Sequence, residues 1–148
     1  MKIKNCLAAI LVEQNQPLEI ESIEFPEELE IGQVLVKLHY SGICGSQLGE
    51  IRGVKGKDPY LPHLMGHEGC ATVLEIGQGV KTVNPGDLVV LHWKKGEGID
   101  SKPPRYKLRD LNLNAGWVTT FNEYAVISEN RCTTIPKDTN KKVASLFG

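Results

Sequence analysis

Two short stretches of the chain carry reactive side chains that are flanked by glycine. Cys44 lies within Gly42–Ser46, and the neighbours His67 and Glu68 lie within Gly66–Gly69. A thiol, an imidazole and a carboxylate form a plausible ligand set for zinc, which accepts sulfur, nitrogen and oxygen donors. Glycine lets the backbone bend sharply, so that such side chains can turn toward a shared ion. The two stretches therefore indicate a metal site, provided that the fold brings them together.

The other cysteines and histidines indicate no chemistry by themselves. Cys6, Cys70 and Cys132 are scattered and form no CxxC pair, which argues against a disulfide framework. We expect these three thiols to be small buried hydrophobic groups. His63 and His92 are isolated in the sequence, and we expect each to be a packed or a surface residue.

Length and composition are those of an ordinary globular domain. The chain has 148 residues, of which 41% are hydrophobic and 24% charged, with a formal net charge of −1. There is no basic excess to favour nucleic acid, no apolar run of the roughly 18 residues that a membrane span needs, and no cleavable leader pattern. We therefore expect a cytoplasmic protein that binds neither nucleic acid nor membrane.

Short apolar or alternating runs separated by turn signals predict a mainly β fold. Their close spacing is typical of an antiparallel barrel or sandwich. Six strands are expected on this basis, at Cys6–Val12, Leu18–Phe25, Val34–Tyr40, Cys70–Ile76, Leu88–Leu91 and Phe121–Ile127.

Two regions depart from the strand pattern. Trp93–Val118 is rich in Lys, Gly, Pro and Asn, which predicts a long loop. Its Lys94–Arg109 part is expected to be solvated, or else to form a lobe for substrate specificity or subunit contact. After Pro136 we expect a short helix, capped by Asp138 or Thr139. The apolar stripe of this helix is expected to consist of Val143, Leu146 and Phe147.

No glycine-rich dinucleotide fingerprint follows any of the predicted strands. Gly77–Thr82 has two of the three glycines, but it links two strands instead of opening a helix. We therefore predict no cofactor-binding residues in this chain.

Taken in order along the chain, four segments are similar to one known family. Gly42–Ser46, Gly66–Gly69, Val80–Val90 and Phe121–Arg131 together resemble the medium-chain zinc-containing alcohol dehydrogenases. The resemblance implies that residues 1–148 are the N-terminal catalytic domain, a GroES-like, partly open β-barrel with short helices. It also implies that the nucleotide-binding Rossmann domain of such enzymes is absent from this chain.

The resemblance assigns roles to individual residues. Cys44 and His67 would be two of three ligands to a catalytic zinc, and Glu68 would lie beside the metal or exchange as a ligand. Ser46 would hydrogen-bond the substrate hydroxyl and pass on its proton. Zinc would stabilise an alcohol as its alkoxide, which would give a hydride to NAD or NADP held by the missing domain. An alcohol or its aldehyde is therefore the implied substrate.

This sequence departs from the family pattern at three places. Gln47 stands where an Asp often orients the zinc-binding histidine, and we expect it to weaken the metal site without abolishing it. Gly49 stands where some members carry a proton-relay histidine, so proton release must take another route. Leu91–Trp117 contains no cysteine, and the structural zinc of many members is therefore not expected.

The third zinc ligand of the family is a cysteine that follows an Ala-x-Leu-x-Gly-like segment. Ala144–Gly148 matches this segment, so the ligand is expected to be the next residue of the natural protein. We therefore expect an incomplete zinc site and no turnover by this chain alone. Apolar surface left uncovered by the missing half would favour a homo-oligomer.

Two alternatives remain open at this point. A zinc-free medium-chain reductase domain is one, although such proteins generally lack the Cys and His that this chain keeps as Cys44 and His67. A non-catalytic GroES-like binding module is the other, since fold does not determine function. The identity of the substrate and the choice between NAD and NADP stay undetermined.

Overall fold

The computed structural model describes residues 1–148, and most of its regular structure is β-strand. Two short α-helices are present, α1 (Gly45–Ile51) and α2 (Lys141–Ala144), with a 3₁₀ turn at Glu129–Arg131. The ten strands are β1 (Asn5–Leu11), β2 (Glu19–Glu24), β3 (Gln33–Ser41), β4 (His63–Leu64), β5 (Gly69–Ile76), β6 (Leu88–Leu91), β7 (Tyr106–Leu108), β8 (Leu111–Leu113), β9 (Tyr124–Ser128) and β10 (Cys132–Ile135).

The strands form two five-stranded sheets in which every neighbouring pair is antiparallel. One sheet has the order β4-β1-β2-β7-β8 and the other the order β10-β6-β5-β3-β9. This confirms the predicted mainly β, antiparallel fold. The helices have at most seven residues, too few to span a membrane.

All six predicted strands are present, five of them with boundaries within about one residue. The sixth begins at Tyr124 instead of Phe121, because residues 121–123 first bond to β1 of the other sheet. The Phe121 carbonyl accepts from the Ala9 amide at 2.8 Å, and the Glu123 amide donates to the Leu7 carbonyl at 3.1 Å. The chain therefore joins the two sheets before it enters β9.

The first half of β3 is buried on both faces. Leu35 packs in one apolar cluster with residues of β1, β2 and β7, whereas Val34 and Val36 pack in another with β5 and β6. Side chains alternate across a strand, so one strand can serve two cores. This arrangement explains the nearly continuous apolar run at the start of β3.

Three of the four cysteines are small buried groups, as the sequence predicts. Cys6, Cys70 and Cys132 are buried and unpaired. Burial raises the pKa of each of these thiols. They are therefore held as neutral thiols within the core, whereas Cys44 is partly exposed.

The prediction of a continuous loop at Trp93–Val118 was wrong for its second half. β7 and β8 form a hairpin there, and β7 joins the first sheet through the pairing of Lys107 with Glu24. Each of these strands has only three residues, too few for a period of two to stand out. The contact with β2, which is distant in sequence, stabilises a hairpin that local composition does not reveal.

Tyr106 of β7 ties the two sheets together. Its ring is fully buried and meets Phe25 edge-to-face, with ring centroids 5.1 Å apart. Its hydroxyl accepts a hydrogen bond from the Val126 amide at 2.8 Å. Because β9 is an edge strand, this amide has no strand partner on that side, and the tyrosine satisfies it.

Replacing Tyr106 by phenylalanine should lower the free energy of unfolding by about 1–3 kcal/mol, because the buried Val126 amide loses its acceptor. Equilibrium urea unfolding measures the change. Tyr124→Phe is a matched control, since its side chain is only partly buried. An equal loss in both variants would contradict the proposed role of the Tyr106 hydroxyl.

The C-terminal helix begins later than predicted. Asn140, and neither Asp138 nor Thr139, caps α2 by accepting from the Lys142 and Val143 amides at 3.0 and 3.3 Å. The predicted apolar stripe is largely exposed, and Ala144 is instead the residue that packs against the sheet, beside Cys70, Leu88 and Val90. A small side chain permits the close approach of helix and sheet, and a hydrophobicity pattern does not detect it.

Candidate metal and catalytic site

Strand pairing brings the two glycine-flanked stretches together. β3 and β5 are antiparallel, and Ser41 at the end of β3 lies opposite Gly69 at the start of β5. Just beyond this pair, the Gly42 amide donates to the Glu68 carbonyl at 3.1 Å. Cys44 follows Gly42 by two residues, and His67 directly precedes Glu68. Both stretches therefore leave the same end of one strand pair.

Glycine is required where these stretches cross. A Cβ atom added to Gly42 would lie 2.5 Å from the Glu68 carboxyl group. Gly66 has a φ of +90°, and a Cβ there would overlap the Thr120 hydroxyl. The glycines flanking the donor residues therefore allow a close approach of the backbone, as the sequence pattern indicated.

Cys44 occupies the N-cap position of α1. Hydrogen bonds from the Ser46 hydroxyl and amide lower the pKa of the Cys44 thiol, although partial desolvation and the nearby Glu68 carboxylate oppose this shift. A thiol must lose its proton to bind a metal, so a lowered pKa favours ligation. The pKa of the Cys44 thiol is thus shifted in the direction that metal binding requires.

Gln47 is buried, with 2% of its surface exposed. Its Oε1 accepts from the Cys44 amide at 2.7 Å, which identifies the oxygen and leaves Nε2 without a partner. An unpaired buried N–H group costs about 1–3 kcal/mol. The amide therefore offers two unsatisfied N–H groups, and its oxygen is already engaged.

A cavity of about 930 Å³ adjoins the candidate site. Gln47 and His67 line it on one side, and residues 102–106 and 112–118 line it on the other. Residues 102–106 belong to the Lys94–Arg109 segment, for which a solvated loop or a specificity or subunit-contact lobe is the expectation, and they contribute to a wall of this cavity. Trp117, Lys102 and Arg105 are exposed at this wall.

A second group of metal-ligating side chains lies on the same cavity and was missed in the sequence analysis. The ligand atoms of Glu50, Asp58 and His63 all lie within 4.8 Å of one another. The ligand atoms of Cys44, His67 and Glu68 do not all lie within 4.8 Å of one another. The spacing of Glu50, Asp58 and His63 matches no regular element, so the sequence offered no signal for them.

The donor set around Cys44 fits a zinc ion in its chemistry. It combines a thiol with a lowered pKa, an imidazole and a carboxylate, which are the three ligand types that zinc prefers.

The two-sheet β fold, with its donors at the end of one strand pair, defines a GroES-like domain. The family model described as "Alcohol dehydrogenase GroES-like domain" matches residues 30–137. The chain therefore belongs to this family, and the predicted resemblance is confirmed.

Its relatives are alcohol dehydrogenases. An alcohol dehydrogenase from Moraxella sp. is 37% identical over 138 residues, which cover 88% of this chain and 40% of that protein. An alcohol dehydrogenase from Geobacillus stearothermophilus is 41% identical over 86 residues, covering 58% of this chain and 25% of that protein. The chain thus spans less than half the length of the relatives that it matches.

A solved structure supports the fold independently. An alcohol dehydrogenase zinc-binding domain protein from Burkholderia ambifaria superposes with a TM-score of 0.80 at 23% identity, over 93% of this chain and 44% of that one. At this identity the likeness concerns the fold alone, and it confirms the GroES-like architecture.

Proposed function

We propose that this chain is the zinc- and substrate-binding domain of an alcohol dehydrogenase that transfers a hydride to NAD or NADP. The observation that carries the proposal is that the stretch holding Cys44 and the stretch holding His67 and Glu68 meet at one end of β3 and β5. Family membership supports it, because the relatives are named as alcohol dehydrogenases. The cofactor would be held by a second domain outside these 148 residues.

Each residue of the site has a proposed task. Cys44 and His67 would hold the zinc, with Glu68 beside it, and bound zinc would supply Lewis acidity toward an alcohol oxygen. Ser46 would first hold Cys44 in its thiolate form and then donate to or accept from the substrate hydroxyl. The walls at residues 102–106 and 112–118 would surround the substrate and exclude water.

The position of Gly148 supports the expectation about a third ligand. A Cβ atom built on Gly148 would lie 2.6 Å from the Cβ of Glu68, so the chain reaches the candidate site at this residue. A cysteine that followed Gly148 in a longer chain would begin beside Glu68. We propose that such a residue completes the ligand set.

Metal titration of two forms tests the proposal. The chain of residues 1–148 and the full-length natural protein are each titrated with Zn²⁺, and alcohol-dependent reduction of NAD⁺ and NADP⁺ is measured for both. We expect tight zinc binding and turnover in the full-length protein, with weak zinc binding and no turnover by residues 1–148. Turnover by the shorter form with any alcohol would contradict the proposal that the zinc site and the cofactor site lie in two different domains.

Gln47→Asp tests the residue that departs from the family pattern. A carboxylate at this buried position would accept a hydrogen bond from a metal-binding histidine, which the amide nitrogen cannot do. We expect the affinity for zinc to rise about 10-fold or more. Competition with a metal chelator measures it, and Gln78→Asp, at an exposed turn, is the control. Unchanged affinity would mean that Gln47 does not influence the metal.

A further inference from the structure

Glu50, Asp58 and His63 come from three different segments of the chain. Glu50 lies on α1, Asp58 in the connection that follows it, and His63 at the start of β4. The side chains of His63 and Asp58 are about nine-tenths buried, with 10% and 11% exposed, whereas that of Glu50 is 45% exposed. Glu50 and His63 line the cavity described above, which is accessible from solvent.

The orientation of the His63 ring is determined by a hydrogen bond to the neighbouring backbone carbonyl. Its Nδ1 lies 2.9 Å from the Leu64 carbonyl, which can only accept, so Nδ1 carries a proton and donates it. Nε2 therefore points at the carboxylates, 2.9 Å from Asp58 Oδ2 and 3.8 Å from Glu50 Oε1. Metal-binding histidines typically donate their second ring N–H to a carbonyl in this way.

A carboxylate accepts hydrogen bonds and does not donate them when ionised. A proton must therefore lie between Nε2 of His63 and Asp58, or a cation must take its place. Two carboxylates and one neutral imidazole carry a charge of −2, which a divalent ion balances. The separations of 2.9 and 3.8 Å bracket the roughly 3.4 Å expected between ligands that each bond zinc at 2.0–2.2 Å.

Gln47 supplies an independent observation at the same cavity. It lies three residues before Glu50 on α1, and its buried Nε2 has no hydrogen-bond partner. A donor in this position needs an oxygen acceptor, and a water molecule held by a nearby cation is such an acceptor.

We propose that Glu50, Asp58 and His63 form a second metal site, which binds a divalent ion such as Zn²⁺ or Co²⁺ at the wall of the cavity. Three protein ligands leave a coordination position open toward the cavity, as in catalytic zinc sites. The nitrogen and oxygen donors distinguish this site from the sulfur-containing set around Cys44. The proposal is independent of the proposed function, because it requires neither Cys44 nor His67.

The test uses Co²⁺ as the probe, since its visible spectrum reports its ligands. In the Cys44→Ala/His67→Ala double variant, we expect one Co²⁺ ion to remain bound without a thiolate charge-transfer band. Adding His63→Ala removes a ligand and should weaken this binding more than about 100-fold, whereas adding Glu50→Gln keeps a neutral oxygen donor and should weaken it about 10-fold. Glu30→Gln, which removes another exposed carboxylate of the same cavity, should leave the affinity unchanged.

Circular dichroism verifies that each variant is folded. If His63→Ala does not fold, Glu50→Gln still tests the proposal, because Glu50 is about half exposed. Loss of all Co²⁺ binding in the double variant would overturn the second site and leave His63 and Asp58 as a hydrogen-bonded pair. Residual binding that Glu50→Gln leaves unchanged would also overturn it.

Discussion

Replacing His67 by alanine is expected to abolish alcohol-dependent reduction of NAD(P)⁺ in the full-length protein and to lower its affinity for zinc more than about 100-fold. The basis is the proposed ligand set, in which His67 supplies the only imidazole next to Cys44 and Glu68. Changes to groups that merely contact a ligand cost 10–100-fold in metal affinity, so loss of a ligand should cost more. Chelator competition and steady-state kinetics give the two readouts.

His92→Ala is the matched control for this variant. His92 bonds to the Lys94 carbonyl at 2.8 Å and to the Thr133 hydroxyl at 2.9 Å. These contacts lie outside the proposed ligand set, so the control should keep its zinc and its turnover. Full activity in His67→Ala would show that this histidine is not a zinc ligand, and the proposed function would lose its main support.

Replacing Glu129 by alanine is expected to lower the free energy of unfolding by about 3 kcal/mol or more, because three backbone amides and the Thr82 hydroxyl lose a buried acceptor together. Glu129 is 1% exposed. Its Oε1 accepts from the Lys81 and Thr82 amides at 2.6 and 2.9 Å, and its Oε2 accepts from the Ile99 amide at 2.7 Å. One carboxylate thus joins the turn after β5 to the segment after β6.

The pH dependence of stability gives a second readout of Glu129. Burial alone would raise its pKa, but the hydrogen bonds from residues 81, 82 and 99 outweigh it and hold the pKa below its usual value. The stability that the ionised form contributes is complete above about pH 4.3, where an unfolded glutamate is ionised. It is lost as the pH falls through the lower pKa of the folded state.

Glu129→Gln separates the contribution of the negative charge from that of the hydrogen bonds. The amide keeps one oxygen for residues 81 and 82 but turns an NH₂ group toward the Ile99 amide, so we expect an intermediate loss of about 1–3 kcal/mol at pH 6. The difference from the wild-type chain should shrink as the pH is lowered from 6 toward 3, because the stability contributed by the ionised wild-type carboxylate falls progressively below about pH 4.3. Denaturant unfolding at both pH values measures this.

Glu97→Ala is the control within the same segment. Glu97 is exposed, so its removal should change the stability by no more than about 0.5 kcal/mol. A Glu129→Ala variant as stable as this control would contradict the role assigned to the buried carboxylate.

The long strands could be predicted because their residues carry the signal locally. β1, β3 and β5 have seven to nine residues each, enough for an apolar run or an alternation to stand out. The shortest strands could not be predicted. β4, β7 and β8 have two or three residues and depend on partners far away in sequence. A pattern confined to a few positions cannot encode such partners.

The same distinction applies to the candidate site residues, some of which carry a local signal in the sequence and some of which do not. Glycine beside Cys44, His67 and Glu68 marked these donors, because a close approach of backbone requires residues without a side chain. Glu50, Asp58 and His63 carried no comparable mark. Nothing in their spacing shows that α1 and β4 lie on one cavity, since that proximity arises only when the intervening residues fold.

The sequence by itself thus determined which side chains are candidate ligands, which glycines flank them and where the long strands lie. All of these are properties of single residues or of short runs. The tertiary structure alone decided which donors meet. The register that sets Ser41 opposite Gly69 brings the stretch holding Cys44 beside Glu68, and the packing of residues 102–106 and 112–118 forms a wall of the cavity that His67 also lines. Such long-range pairings depend on the burial of both sheets at once, which no local pattern of residues contains.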